Sequence, residues 1–176
     1  MFPELQFIVQ TNGPGADILS GPTNEVQHQL NSRITVQQRV QGPGTPQIVH
    51  DAAVYILHLP PPLPGIPIGS TTTQIAAELR VHLDVLRSNR SATLILVARI
   101  LPESGTVGPD VEALACLRDL SLLQLANVRE MEMFELMDML NSVSDGIGRL
   151  ALVNQRRSPC NGAIVLEVRY KACAGR

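Results

Sequence analysis

The stretch Thr93-Leu-Ile-Leu-Val-Ala98 decides the fold of this chain. It is a short, unbroken apolar run rich in aliphatic side chains, which is typical of a strand buried on both faces of a sheet. The segment Leu101-Pro-Glu-Ser-Gly105 follows it, and its proline and glycine end the strand. The sequence therefore predicts a buried strand at this position.

Upstream of this strand lie a second apolar run and, between the two runs, a segment with helical periodicity. The second apolar run, Ala52 to His58, is the best candidate for a central parallel strand, and Gln74 to Arg87 predicts the helix that connects the two strands. The hydroxyls of Ser70 to Thr73 are predicted N-caps for this helix. The predicted inner face of the helix consists of Ile75, Leu79, His82, Leu83 and Leu86.

Downstream of the Thr93–Ala98 strand, two helices and a hairpin are predicted. The helices are Asp110 to Leu125 and the Met-rich segment Glu132 to Val143, and the hairpin pairs Arg149–Gln155 with Ala163–Tyr170. The predicted inner side of the first helix carries Leu114, Leu117, Leu120 and either Leu123 or Gln124.

The first forty residues predict two strands with a weak helix between them. Leu5 to Gln10 is predicted as a buried strand and Arg33 to Val40 as a second strand, with Ala16 to Leu30 as the weak helix, interrupted at Gly21-Pro22. An apolar first strand needs a neighbour, and the order of elements places that neighbour upstream. Together the elements predict one α/β domain over residues 1–176, with a mostly parallel sheet and a C-terminal antiparallel hairpin.

Composition narrows the classes of partner. Hydrophobic residues make up 44% of the chain and charged residues 17%, which points to a subunit interface or an absent partner domain. The formal charge of −2, with dispersed basic residues, predicts neither nucleic acid nor membrane as a partner. Three widely spaced cysteines favour a reducing, cytoplasmic setting, and no histidine pair has metal-ligand spacing.

Four segments of the chain carry a family resemblance: Leu101-Pro-Glu-Ser-Gly-Thr106, Arg118-Asp-Leu-Ser-Leu-Leu-Gln-Leu125, Arg129-Glu130 and Glu135-Leu-Met-Asp-Met-Leu140. Together they resemble the C-terminal half of the S-adenosylmethionine-dependent O-methyltransferases of plant and microbial secondary metabolism. Phe2 to Gln10 is similar to the family's second strand and Asp51 to His58 to its fourth. The resemblance implies a partial class I methyltransferase (Rossmann-like) sheet without the first strand, its glycine-rich cofactor loop and the N-terminal dimerisation domain.

The resemblance also implies roles for four positions. His58 is the general base if the alignment tolerates a short deletion, whereas an ungapped alignment places the base near Pro62. Glu130 matches the acid that orients the base. Thr11 and Gln41 stand at the S-adenosylmethionine-binding positions where the family has acidic residues.

Two functions remain open. In the first, the chain transfers a methyl group from S-adenosylmethionine to a hydroxyl of a small aromatic or polyketide substrate, completed by a partner or an upstream segment. In the second, it is a catalytically inactive remnant that acts as a binding or partner subunit, in a homo-oligomer or with a methyltransferase-like chain. Purely structural roles are also open for the histidines and methionines: His58 as a loop residue, His82 as a core residue and the methionines as core filler.

Overall fold

The computed structural model describes residues 5–12, 26–31, 33–39, 42–62, 68–158 and 162–173. Its contacts divide the chain into two compact units, residues 1–42 and residues 43–176. The assignment of the chain to a single domain stays a prediction. No helix of the described residues is long and apolar enough to cross a membrane.

The first unit is a three-stranded sheet. Its strands are β1 (Phe7–Asn12), β2 (Val26–Asn31) and β3 (Ile34–Arg39), in the order β1-β3-β2. β1 runs parallel to β3, and β2 runs antiparallel to it with a register shift between Gln29 and Asn31.

Two predictions for the first unit are corrected. Residues 26–31 form a strand, not the end of a helix, because their backbone groups pair with β3 and pairing outweighs a weak helical preference; residues 16–25 of the predicted helix lie outside the described residues. β1 is exposed, not buried, since it is an edge strand and nothing described in this unit covers the side chains of Phe7, Ile8 and Val9.

The second unit has a four-stranded sheet with three helices. The strands are β4 (Val54–His58), β5 (Thr93–Arg99), β6 (Gly148–Arg157) and β7 (Ala163–Ala172), in the order β4-β5-β7-β6. β4 and β5 are parallel, while β7 is antiparallel to both β5 and β6. The prediction that the Ala52–His58 strand is central is wrong: β5 has a partner on both sides, whereas β4 is an edge strand of the described sheet. The α/β class and the C-terminal hairpin are confirmed, and the described strand pairings are more mixed than a mostly parallel sheet.

The helices are α1 (Ile68–Ser88), α2 (Pro109–Ala126) and α3 (Met133–Ser142). α1 begins earlier than predicted, so the hydroxyls of Thr72 and Thr73 lie inside the helix and donate to the carbonyl of Gly69 instead of capping its start. α3 has a capping box in which Glu132 is the N-cap and Glu135 bonds back to the Glu132 N–H.

The core of the second unit is almost entirely aliphatic, as the scarcity of aromatic residues requires. α1 and α3 supply one side of it and the sheet the other. Its largest fully buried side chains are Ile75, Leu79, Leu86, Leu94, Leu96, Ile100, Leu136, Leu140, Leu150, Ile164, Leu166 and Val143.

α2 differs from the other helices, and its predicted inner face is wrong. Leu114, Leu117, Leu120 and Leu123 are all exposed, and the buried residue of this helix is Ala115. Among the described elements, no other helix or strand approaches the α2 backbone closely. α2 is held to the rest of the unit by side-chain bonds to loops.

Candidate functional site

A cavity of about 580 Å³ opens at the carboxyl ends of β4 and β5, where an α/β sheet usually binds its ligand. Its wall combines the ends of these two strands, the start of α1, the loop before α3 and α3 itself. The lining residues are His58, Leu59, Pro60, Pro61, Pro62, Thr71, Thr72, Ile75, Val97, Ala98, Arg99, Ile100, Val128, Arg129, Glu130, Met131, Glu135, Met139 and Ala163.

His58 is the last residue of β4 and lines this cavity with an exposed side chain. The backbone around it is fixed, because the N–H of Leu59 donates to the carbonyl of Val97 at 2.9 Å. Pro60, Pro61 and Pro62 follow and form part of the same wall. Within the described part of the chain the imidazole of His58 has no hydrogen-bond partner.

Glu130 lines the same cavity, yet its carboxylate is already bonded on both oxygens. Arg118 binds it in a two-pronged ion pair, in which Nη2 of Arg118 donates to Oε2 at 2.5 Å and Nε donates to Oε1. The side chain of Glu130 is buried, with the residue only 4% exposed. Such a pair is strong because the guanidinium fork matches the carboxylate and little water competes with it.

A second acid completes the anchor. The N–H of Glu130 donates to Oδ1 of Asp119 at 2.8 Å, and Arg129 lies 3.8 Å from the other oxygen of Asp119. Arg118 and Asp119 are neighbours on α2, so one helical turn holds both the side chain and the backbone of Glu130. This cluster fixes the loop that carries Glu130 to α2.

The structure therefore brings His58 and Glu130 to one cavity without pairing them. The sequence carried a signal for the other partner: Arg118-Asp119 is followed by Arg129-Glu130, and opposite charges in two such pairs can bond to each other. The resemblance implied a role for Glu130 but none for Arg118, the cation that pairs with it.

The predicted cofactor positions lie in the first unit. Thr11, near the end of β1, is exposed and carries no charge, and Gln41 lies outside the described residues. None of the described residues of this unit is acidic. Ribose hydroxyls are bound best by a carboxylate that accepts their hydrogen bonds. The residues described here do not fit S-adenosylmethionine.

His82 is a core residue, as the structural interpretation predicted. It is buried on the inner side of α1, its Nδ1–H donates to the carbonyl of Glu78 at 2.8 Å, and its ring meets Tyr55 edge-on at 6.0 Å. Burial lowers the pKa of His82 below its usual value, and the bond to Glu78 offsets part of that shift.

The four methionines between residues 131 and 139 belong to or pack against the core, as the structural interpretation predicted, and Met131 and Met139 also line the cavity. Their flexible side chains suit an irregular apolar wall.

Curated proteins similar to this chain are named as regulators of biosynthetic gene clusters. The agnestins biosynthesis cluster transcriptional coactivator AgnL9 of Paecilomyces divaricatus is 49% identical over 181 aligned residues, covering 99% of this chain and 39% of that protein. The monodictyphenone cluster transcriptional coactivator mdpA of Emericella nidulans is 53% identical over 141 residues, covering 80% of this chain and 29% of that protein. The chain thus spans less than half the length of these relatives. No protein-family model matches it.

Solved structures similar to this chain are methyltransferases or bind their cofactor. LepI in complex with SAM superposes with a TM-score of 0.59 at 14% identity, covering 96% of this chain and 36% of LepI. The mitomycin 7-O-methyltransferase MmcR gives 0.51 at 15% identity, covering 79% and 34%. At these identities the likeness concerns the fold, which is that of part of a methyltransferase.

Proposed function

We propose that this chain is a catalytically inactive methyltransferase-fold module that acts as a partner subunit in transcriptional coactivation of a secondary-metabolite gene cluster. The observation that carries the proposal is the pairing of both Glu130 oxygens with Arg118. In the family that the sequence resembles, the matching acid orients the catalytic histidine.

Methyl transfer to a hydroxyl needs a base that takes the hydroxyl proton as the oxygen attacks. A histidine performs this best when an acid holds its ring in one orientation and stabilises its charged form. His58 is exposed and Glu130 is bonded to another partner. Releasing Glu130 would leave a buried charge unpaired, which costs about 3–5 kcal/mol in proteins. This cost supports a structural role for Glu130.

The names of the relatives support the regulatory half of the proposal. AgnL9 and mdpA are called cluster transcriptional coactivators, and their identities to this chain, 49% and 53%, are far above those of the solved methyltransferases. A coactivator works at promoters, so the proposal replaces the expected cytoplasmic setting with the nucleus. Its partner would be a protein of the transcription apparatus. The formal net charge of −2 gives no reason to expect direct binding to DNA.

A genetic complementation experiment tests this role. The gene that encodes the chain is deleted in its source organism and restored as wild type or as His58→Ala, and transcripts of the neighbouring biosynthetic genes are measured. We expect His58→Ala to restore them fully, because an exposed, unbonded imidazole contributes to neither fold nor coactivation.

Two controls make the result decisive. Leu136→Asp, which places a charge in the core, should fail to restore transcription. Immunoblotting should show wild-type amounts of the His58→Ala protein. A His58→Ala strain that transcribes as poorly as the deletion, with normal protein levels, would contradict a non-catalytic role.

A second candidate function is O-methyl transfer to a small aromatic or polyketide hydroxyl, favoured by the position of His58 in a cavity partly lined by Met131 and Met139. The cavity volume lies in the usual range for small-molecule sites. Isothermal titration of the purified chain with S-adenosylmethionine separates the two functions. We expect no binding heat at millimolar cofactor, and saturable binding would favour the enzyme.

A further inference from the structure

From residue 113 onward the outward side of α2 is uncharged and mostly apolar. Between residues 113 and 125, all of which the structure describes, the exposed residues are Ala113, Leu114, Cys116, Leu117, Leu120, Leu123, Gln124 and Leu125. None of them carries a charge. We call this set the α2 stripe. Contiguous exposed apolar surface of this kind marks an interaction site in a folded protein.

Three of the four charged residues of α2, Glu112, Arg118 and Asp119, point away from the stripe and are bonded to loops, while Asp110 in the first turn is exposed and precedes the stripe. Glu112 accepts bonds from the Ser104 hydroxyl at 2.7 Å and the Gly105 N–H at 3.1 Å. Arg118 and Asp119 hold Glu130. The helix therefore cannot roll its leucines inward without breaking all three attachments. Its orientation is fixed with the apolar side outward.

The spacing within the stripe is that of a helix-pairing seam. Ala113, Leu117, Leu120 and Gln124 follow one another at intervals of four, three and four residues. This is the spacing of the a and d positions in a coiled coil, which keeps four residues on one line facing a second helix. Leu117 is 61% exposed and Leu120 is 50% exposed, so the centre of the seam is open.

We infer that the α2 stripe binds the α2 stripe of a second copy of this chain, with the two helices antiparallel. A neutral surface does not repel an identical one, and a charged partner would find no opposite charge on it. A two-fold pair centred between Leu117 and Leu120 sets Leu117 against the partner's Leu120, and Ala113 against the partner's Gln124. Large side chains then meet at the centre, and a small one meets a long one at each end.

The size of the seam sets the strength of the pair. One helix face buries less than the roughly 800 Å² per partner of a standard interface. The dimer should therefore form and dissociate with concentration in the micromolar range. This inference does not depend on the proposed function, because both an enzyme and a coactivator could dimerise in this way.

Sedimentation velocity across micromolar concentrations tests it on the full chain. We expect wild type to shift from monomer to dimer, Leu117→Glu to remain monomeric, and Val153→Glu, the same kind of change at an exposed position on β6, to dimerise like wild type. Leu117 is exposed, so the variant should fold, and far-UV circular dichroism verifies this. A monomeric wild type, or a dimer that Leu117→Glu leaves intact, would overturn the inference and give the stripe to a different occupant.

Mixing two variants tests the antiparallel arrangement. Leu117→Glu and Leu120→Lys should each be monomeric alone. In an equimolar mixture the new glutamate of one chain faces the new lysine of the other, while the remaining Leu120 and Leu117 still meet. We expect a dimer in the mixture and in neither solution alone. A mixture that stays monomeric would overturn the antiparallel pair, since a parallel pair sets like positions together.

Discussion

α2 and α3 follow β5 one after the other, and they differ in whether their leucines are buried. α3 buries Leu136, Met139 and Leu140, whereas α2 exposes five of its six leucines and bonds three of its charged residues to loops. Spacing is part of the reason. The buried residues of α3 are three or four apart and share one side, whereas leucines spaced strictly by three step about 60° around a helix each time and spread over about 180°. No orientation of α2 could bury all of them.

Ion pairs can therefore decide which side of an apolar helix faces inward. The Arg118–Glu130 pair and the bonds of Asp119 and Glu112 are specific and geometrically demanding. Apolar contacts are non-directional, so a second protein surface can provide them. α2 satisfies its directional bonds within its own chain and leaves most of its leucines exposed.

The largest expected effect separates the two helices directly. Leu140→Ala in α3 removes a side chain that is 1% exposed and leaves a cavity, so the free energy of unfolding should fall by about 2–5 kcal/mol. Leu117→Ala in α2 is the same change at an exposed site and should alter it by less than about 0.5 kcal/mol. Urea unfolding, at concentrations low enough to keep the chain monomeric, measures both. Similar losses in the two variants would mean that α2 is buried in solution.

The next effect concerns the ion pair that orients α2. Arg118→Met leaves Glu130 buried without its counter-charge, and we expect a loss of about 2–3 kcal/mol in urea unfolding, below the value for a fully buried pair because the Arg118 side chain is 29% exposed. Replacing both partners, Arg118→Met with Glu130→Leu, removes the unpaired charge and should recover part of the loss. If the double variant is less stable than Arg118→Met alone, the stabilising effect of Arg118 does not come from its pairing with Glu130.

The smallest effect uses a titratable residue on the inner face of α1. The lowered pKa of His82 means that the folded state binds a proton less readily than the unfolded state. His82 should therefore cost no stability above its unfolded pKa of about 6.5, and the free energy of unfolding should fall as the pH drops below that value. The variant His82→Leu should lose this part of the pH dependence. His58→Gln, at an exposed position, should keep it, and equal slopes in wild type and His82→Leu between pH 5 and 7 would contradict the assignment.

Much of the second unit could be predicted from the sequence. β5, the connecting helix, α3 and the final hairpin follow from runs and periods that few other structures satisfy. The first unit was harder, because the segment at residues 26–31 has no strong local preference and becomes a strand only through pairing with β3. The same limit applies to β1, whose apolar sequence predicts burial that an edge position does not provide.

At the candidate site His58 ends β4 and Glu130 lies in the loop between α2 and α3, and both line one cavity. The sequence did not assign Arg118 to Glu130. The eleven residues between them include the last eight of α2, and only the turn at the end of this helix brings the guanidinium back to the carboxylate.

By itself the sequence determined the α/β order, the aliphatic core and the excess of apolar residues. These depend on periodicity and composition, which are local properties. Only the tertiary structure decided the bonding of Glu130 and the outward side of α2. Both depend on which groups meet across the fold, and a buried carboxylate accepts the nearest well-aligned cation whatever role its position suggests.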